Sequence, residues 1–210
     1  MYCSILKLPE MKRNLRILLL KKELDHLLRL HENVYFKLRP YLEERSYTKG
    51  KIIKELGQLE SHARFVYKGY IAKMRPSKKG RDFRLRVFSP GKVASDFESF
   101  FYDEPSDFYL KAITYVSTFE LKNEVEKILL KEVPEVAELA SFINREILKE
   151  SIHWHHSFTL SRKEGYRNMR KNFPLHMNFF SNKDLAFLMK CSTSKINDMN
   201  KELFNDEFGL

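Results

Sequence analysis

Five of the seven glycines in this chain fall between positions 50 and 91, at Gly50, Gly57, Gly69, Gly80 and Gly91. Between them the apolar residues alternate. Phe65 and Tyr67 lead into Tyr70, Ala72 and Met74 around Gly69, and Phe83, Leu85 and Val87 alternate with Arg84 and Arg86. A period of two, broken by turn signals at about eleven-residue spacing, is what short strands of a β sandwich or barrel leave in a sequence. The segment from Ser46 to Phe119 is therefore expected to be β, and the helical period on either side makes the class α+β.

Residues 10–45 predict helix, with Leu20, Leu24, Leu27, Leu28 and Leu30 near helical spacing and no glycine or proline until Pro40. Beyond Phe119 the helical period returns. Pro134 suits a first helical turn, where its missing N–H has no intrahelical partner to lose. Val136, Ala140, Ile143 and Ile147 follow in 4-3-4 steps towards Trp154. Such a narrow seam serves either to pair two long helices or to pack one helix on its own β domain. Ser161 and Glu164 have capping-box spacing and open a small helical region. The expected division is 1–45, 46–120, 121–156 and 157–210.

Ser181 and Ser192 are two cap signals eleven residues apart, each followed by a short apolar-periodic run. That is helix-turn-helix spacing, the element that lays its second helix in a DNA major groove. Leu185, Met189, Cys191, Ile196 and Met199 would face inward, with Ala186 small where the helices approach. Ser192 would cap the second helix and place Thr193, Ser194, Lys195 and Asn197 at the base edges. Lys201, Arg167 and Lys171 are the candidate phosphate contacts, the last two from the basic run Arg162, Lys163, Arg167, Arg170 and Lys171. An ordinary helical hairpin with a solvated basic face has the same pattern. Lys190 occupies the turn where glycine is the easy residue, and the second helix carries Asp198 and Glu202 but no arginine, the residue best suited to reading guanine.

The formal charge of +10 and pI near 9.5 favour a polyanionic partner, although acids are interleaved with the bases throughout. Cys3 and Cys191 are the only cysteines, too few for a disulfide framework and compatible with a reducing cytoplasm. Leu18, Leu19 and Leu20 are crowded by Lys12, Arg13, Arg16, Lys21 and Lys22, which suits neither a signal-peptide core nor a membrane span. The expected location is cytoplasmic. His153, His155 and His156 flank Trp154 but lack the companions a zinc site needs. With no phosphate-binding glycine loop, HExxH or GxSxG, neither an enzyme nor a cofactor is expected.

Several segments match a known pattern in order. Tyr47-Thr48-Lys49-Gly50, Phe65-Val66-Tyr67-Lys68-Gly69-Tyr70-Ile71 and Phe88-Ser89-Pro90-Gly91-Lys92-Val93 come first. Ala112-Ile113-Thr114-Tyr115 through Val133-Pro134 follow. Together with the C-terminal capped pair, residues 30–204 resemble the Crp/Fnr family of bacterial transcription regulators. The resemblance implies N-terminal helices and a double-stranded β-helix (jelly roll) effector domain. It further implies a long dimerisation helix at 134–154, a C-terminal helix-turn-helix and double-stranded DNA as partner.

The effector cassette departs from the family pattern. Cyclic-nucleotide binders carry Gly-Glu and, about ten residues on, Arg-Ser. Here Ser95-Asp96 and Ser106-Asp107 stand at those places, with Phe97 and Glu98 between and Asp103 and Glu104 adding acid. A phosphate beside carboxylates is unfavourable, so cyclic AMP is not expected, and the roll is expected to have lost its effector or exchanged it for a small molecule of other chemistry. Phe204–Leu210 is also too short for the β-hairpin wing that family members often carry. A ligand- or protein-binding module with a vestigial helix-turn-helix is the alternative.

Overall fold

The glycine-punctuated segment folds into two four-stranded antiparallel sheets. The structure is a computed structural model and describes residues 7–77 and 80–208, so Cys3 lies outside the described residues. One sheet has the order β1 (Glu43–Tyr47), β8 (Val116–Lys122), β3 (His62–Lys68), β6 (Val93–Ala94). The other runs β2 (Ile52–Lys54), β7 (Tyr109–Ala112), β4 (Ile71–Arg75), β5 (Phe83–Phe88). The chain alternates between the sheets at all but the β4–β5 step, which makes the pair a jelly roll. A short helix, α3 (Phe97–Tyr102), lies between β6 and β7.

Register follows from alternation. Phe65 lies opposite Phe119 across β3 and β8, and Arg64 opposite Glu120. Val66 and Val116 point inward to meet Ile71, Phe88 and Leu110, while Phe65 and Phe119 point out towards the helices. Gly69 turns the chain from β3 in one sheet to β4 in the other at φ +83, and a Cβ there would stand 2.0 Å from the Tyr115 carbonyl oxygen. Only glycine fits that approach.

The outer face of the first sheet is covered by α1 (Lys7–Leu24), α2 (Glu32–Leu38), α4 (Asn123–Glu132) and α5 (Pro134–His156). Ile17, Leu20, Tyr35 and Leu38 meet Leu129, Val136 and Leu139 over Phe65 and Phe119. The continuous helix expected over 10–45 is broken at residues 25–31, and β1 starts at Glu43 rather than Ser46. Folding back lets Leu27, Leu28 and Leu30 pack against the same core. His31 makes the new start, its Nδ1 accepting the Asn33 N–H at 3.3 Å.

After α5 come α6 (Arg162–Asn172), α7 (Pro174–Met177), α8 (Asn182–Leu188) and α9 (Thr193–Phe208). This head closes around Trp154, Tyr166, Met169, Leu185, Ile196 and Met199. Val87 of β5 belongs to the same cluster, so one core crosses the boundary expected at 156/157. Helix α9 takes up most of the expected tail, and among the described residues no strand follows it. Among those residues no helix is long and apolar enough to cross a membrane.

Candidate nucleic-acid interface and effector cassette

Helix α8 opens with a reciprocal cap. Ser181 Oγ accepts the Asp184 N–H at 3.2 Å, and the Asp184 carboxylate accepts the Ser181 N–H at 2.8 Å. Two orphan donors are satisfied this way. Leu185, Ala186, Met189, Ile196 and Met199 are buried, and Cys191 is half-buried against the same cluster. The turn is held with Lys190 at φ +50, and the Cys191 N–H donates to the Ala186 carbonyl at 3.0 Å. Ser192 caps α9 by accepting the Lys195 N–H at 3.2 Å.

Ser192, Thr193, Ser194, Lys195 and Asn197 are all exposed on the first turns of α9, and Lys201 is exposed two turns further on. Asn197 accepts a hydrogen bond from Asn182 at 2.6 Å, which ties the start of α8 to that face. Arg167 and Lys171 are exposed on α6. Lys163 is held by Glu202 at 2.6 Å, and Arg162 donates to the Lys190 carbonyl at 3.4 Å, so both serve the head's own packing.

The cassette residues also meet, in a way their sequence did not reveal. Asp96 lies inside the roll, its side chain 1% exposed. Lys54 of β2 reaches one carboxylate oxygen at 3.2 Å, Lys73 of β4 reaches the other at 2.8 Å, and the Ser106 hydroxyl donates to the first in a short bond. Lys54 also donates to the Phe108 carbonyl, and Lys73 sits 4.3 Å from the centre of the Phe108 ring. Burial alone would raise the Asp96 carboxyl. The hydrogen bonds from Lys73 and Ser106, with the charges of both lysines, hold it below its ordinary 3.8.

A second buried network adjoins the first. Arg64 donates to Glu60 at 2.8 Å and lies 3.7 Å from Glu120, which accepts the Tyr47 hydroxyl at 2.7 Å and the Thr118 hydroxyl at 2.8 Å. Glu60 in turn accepts the Asp96 N–H at 3.3 Å. Burial and the hydrogen bond to Glu120 push the Tyr47 phenol up to about 12. The acidic character read from Ser95 to Asp107 is thus compensated at Asp96 by cations from outside that segment. Lysines from two other strands neutralise Asp96, whereas Glu98, Asp103, Glu104 and Asp107 point to solvent. Glu98, Glu104 and Asp107 line a surface depression of about 370 Å³. Phe97 is half-buried against the roll interior. The missed signal was a charged residue at an inward strand position, as at Lys54, Arg64 and Glu120.

Helix α5 splits the expected seam. Val136 is buried in the chain's own core, and Trp154 plugs the head, its ring 5.1 Å from Phe173 and 5.7 Å from Phe180. Those two residues leave the seam because their own chain covers them. Ala140, Ile143 and Ile147 line an open apolar cleft of about 120 Å³ with Phe97 and Phe101, and on another face Leu148 is 61% and Ile152 56% exposed. His153, His155 and His156 are exposed at the end of α5, and among the described residues no group of three or more metal-ligating side chains converges.

No protein-family model matches the chain, and no curated protein matches it. Solved structures do share its fold. The c-di-GMP-responsive global regulator CLP of Xanthomonas campestris aligns with a TM-score of 0.61 at 16% identity, covering 84% of this chain and 93% of that one. A cyclic nucleotide-binding domain from Methylobacillus flagellatus gives 0.59 at 8% identity, over 77% of this chain and 85% of its own. A CooA mutant from Carboxydothermus hydrogenoformans gives 0.58 at 10% identity, over 81% and 78%. The likeness is one of fold.

Proposed function

We propose that this chain is a homodimeric, double-stranded-DNA-binding transcription regulator of Crp/Fnr type whose roll does not bind cyclic AMP. One observation carries the reading. On a two-helix unit with a buried core, the first turns of α9 present Thr193, Ser194, Lys195 and Asn197 to solvent, which is where a reading helix meets base edges. Lys201, Arg167 and Lys171 supply phosphate contacts. The net charge of +10 and the fold shared with CLP and CooA support the same class.

The dimer runs through α5. Its open cleft at Ala140, Ile143 and Ile147 and its exposed Leu148 and Ile152 are apolar surface for a second copy. Inside the roll, the Asp96 carboxylate already engages Lys54, Lys73 and Ser106, so the groups that would meet a phosphate are taken. Titration calorimetry with cyclic AMP is expected to show no binding at micromolar concentration.

Selection from a random-sequence DNA library, scored by mobility shift at several salt concentrations, tests the DNA reading. Three phosphate-contacting cations on each of two heads give a log–log salt slope of roughly −5. Lys195→Glu is expected to abolish selection. Absence of any enrichment at low salt by folded dimer favours the second reading, a ligand- or protein-binding module without specific DNA binding. The arginine-free face of α9 and its exposed Asp198 are what speak for that alternative.

A further inference from the structure

The junction between roll and head is organised around one carboxylate. Asp184 caps α8, and its side chain is 1% exposed because the roll closes over it. Its Oδ1 accepts the backbone N–H of Arg84 at 3.1 Å. Its Oδ2 takes the Arg84 guanidinium at 3.3 Å, with Arg81 at 3.5 Å. Arg84 Nη1 also donates to the Phe179 carbonyl at 2.7 Å, two residues before the cap. Strand β5 is an edge of its sheet, so the Arg84 N–H would otherwise face solvent. One acid therefore closes a helix terminus and a sheet edge together. Phe83 stacks on Phe187 at 4.2 Å beside it, and Tyr70 meets Phe179 at 4.1 Å.

Stacked rings tolerate sliding, whereas a guanidinium held between a carboxylate and a carbonyl does not, because charge-assisted hydrogen bonds are directional. We propose that Arg84 is a positioning residue: through Asp184 and the Phe179 carbonyl it sets the angle at which each α8–α9 head is carried on its own roll. In a dimer this angle sets the separation of the two reading helices, and so the half-site spacing that is bound. The inference rests on the DNA reading proposed above.

The test uses the full chain with Cys3→Ser and Cys191→Ser, spin-labelled at Lys51→Cys on the roll and Asp198→Cys on the head. Dilution with unlabelled protein leaves at most one labelled chain per dimer. Without DNA, the parent is expected to give one narrow distance distribution, and Arg84→Met a broad one at unchanged far-UV circular dichroism. On DNA, Arg84→Met is expected to bind a lone half-site as well as the parent does. It should lose about tenfold on the paired site, the equivalent of about 1.4 kcal/mol, and accept additional spacings. Arg84→Lys, which keeps the charge, should restore part of that loss. A distribution that stays narrow in Arg84→Met overturns the proposal, as does an equal loss on lone and paired sites. If the parent selects no DNA at all, the functional reading falls, and the distance measurement reports separately whether Arg84 holds the junction.

Discussion

Removing the Asp96 carboxylate strands charge inside the roll. In Asp96→Ala, Lys54, whose side chain is 2% exposed, keeps only the Phe108 carbonyl, and Lys73 keeps the Phe108 ring. Breaking a buried ion pair from one side costs about 3–5 kcal/mol because the remaining charge stays desolvated. An exposed pair would cost under about 1 kcal/mol, so the two cases are well separated. For a domain of this size the larger figure lowers the melting temperature by roughly 6–20 °C. Lys54→Met alone leaves Asp96 with Lys73 and Ser106, and is expected to be milder. The double variant Lys54→Met/Asp96→Ala should recover part of the loss, since it removes the stranded ammonium. Urea unfolding followed by circular dichroism, with all four members of the cycle, gives the coupling energy. A loss below about 1 kcal/mol in Asp96→Ala, or a double variant no better than that single one, would refute the view that these charges fill the roll interior.

Burial pushes His176 down to about 4, with Arg86 and Lys92 reinforcing and Glu150 opposing. The unfolded chain therefore takes up this proton near the ordinary 6.5 while the folded one does not. Stability should be full above that pH and fall by up to about 3 kcal/mol between pH 6.5 and 4, a slope His176→Gln removes in pH-dependent melts. Lys190 holds a left-handed conformation at φ +50, so Lys190→Gly should raise stability by roughly 1 kcal/mol in the same assay. A Cβ on Gly165 would lie 2.0 Å from the Ser157 carbonyl oxygen, so Gly165→Ala is expected to cost about 1–3 kcal/mol, measured by urea midpoint.

Local pattern carried part of this far. Leu185, Ala186, Met189, Ile196 and Met199 are inside the head because a period of 3.6 puts them on one face of each helix. Lys190 in the turn was equally readable, as a non-glycine residue where the chain must go left-handed. The partners of Asp96 were not. Lys54 and Lys73 lie 42 and 23 residues away, and a lysine in a strand reads as solvent-facing unless the inward register is known. Asp184 read only as a helix-start acid, because Arg84 is 100 residues distant. On α5, periodicity marked Val136 through Trp154 as one stripe but cannot tell which part finds its own core.

Val87 carries a consequence for modularity. A C-terminal head that could be lost, exchanged or fused by recombination would need to keep its fold when severed between Ser157 and Ser161. This one would leave behind Trp154 and Val87, two walls of its interior, and uncover the acid that closes the start of α8. A fragment starting at 157 is thus an incomplete solid, and the smallest portable unit includes the β4–β5 hairpin and the end of α5. The fit of the head is then set by a hairpin some hundred residues upstream, so a substitution on either side of that contact is felt on the other.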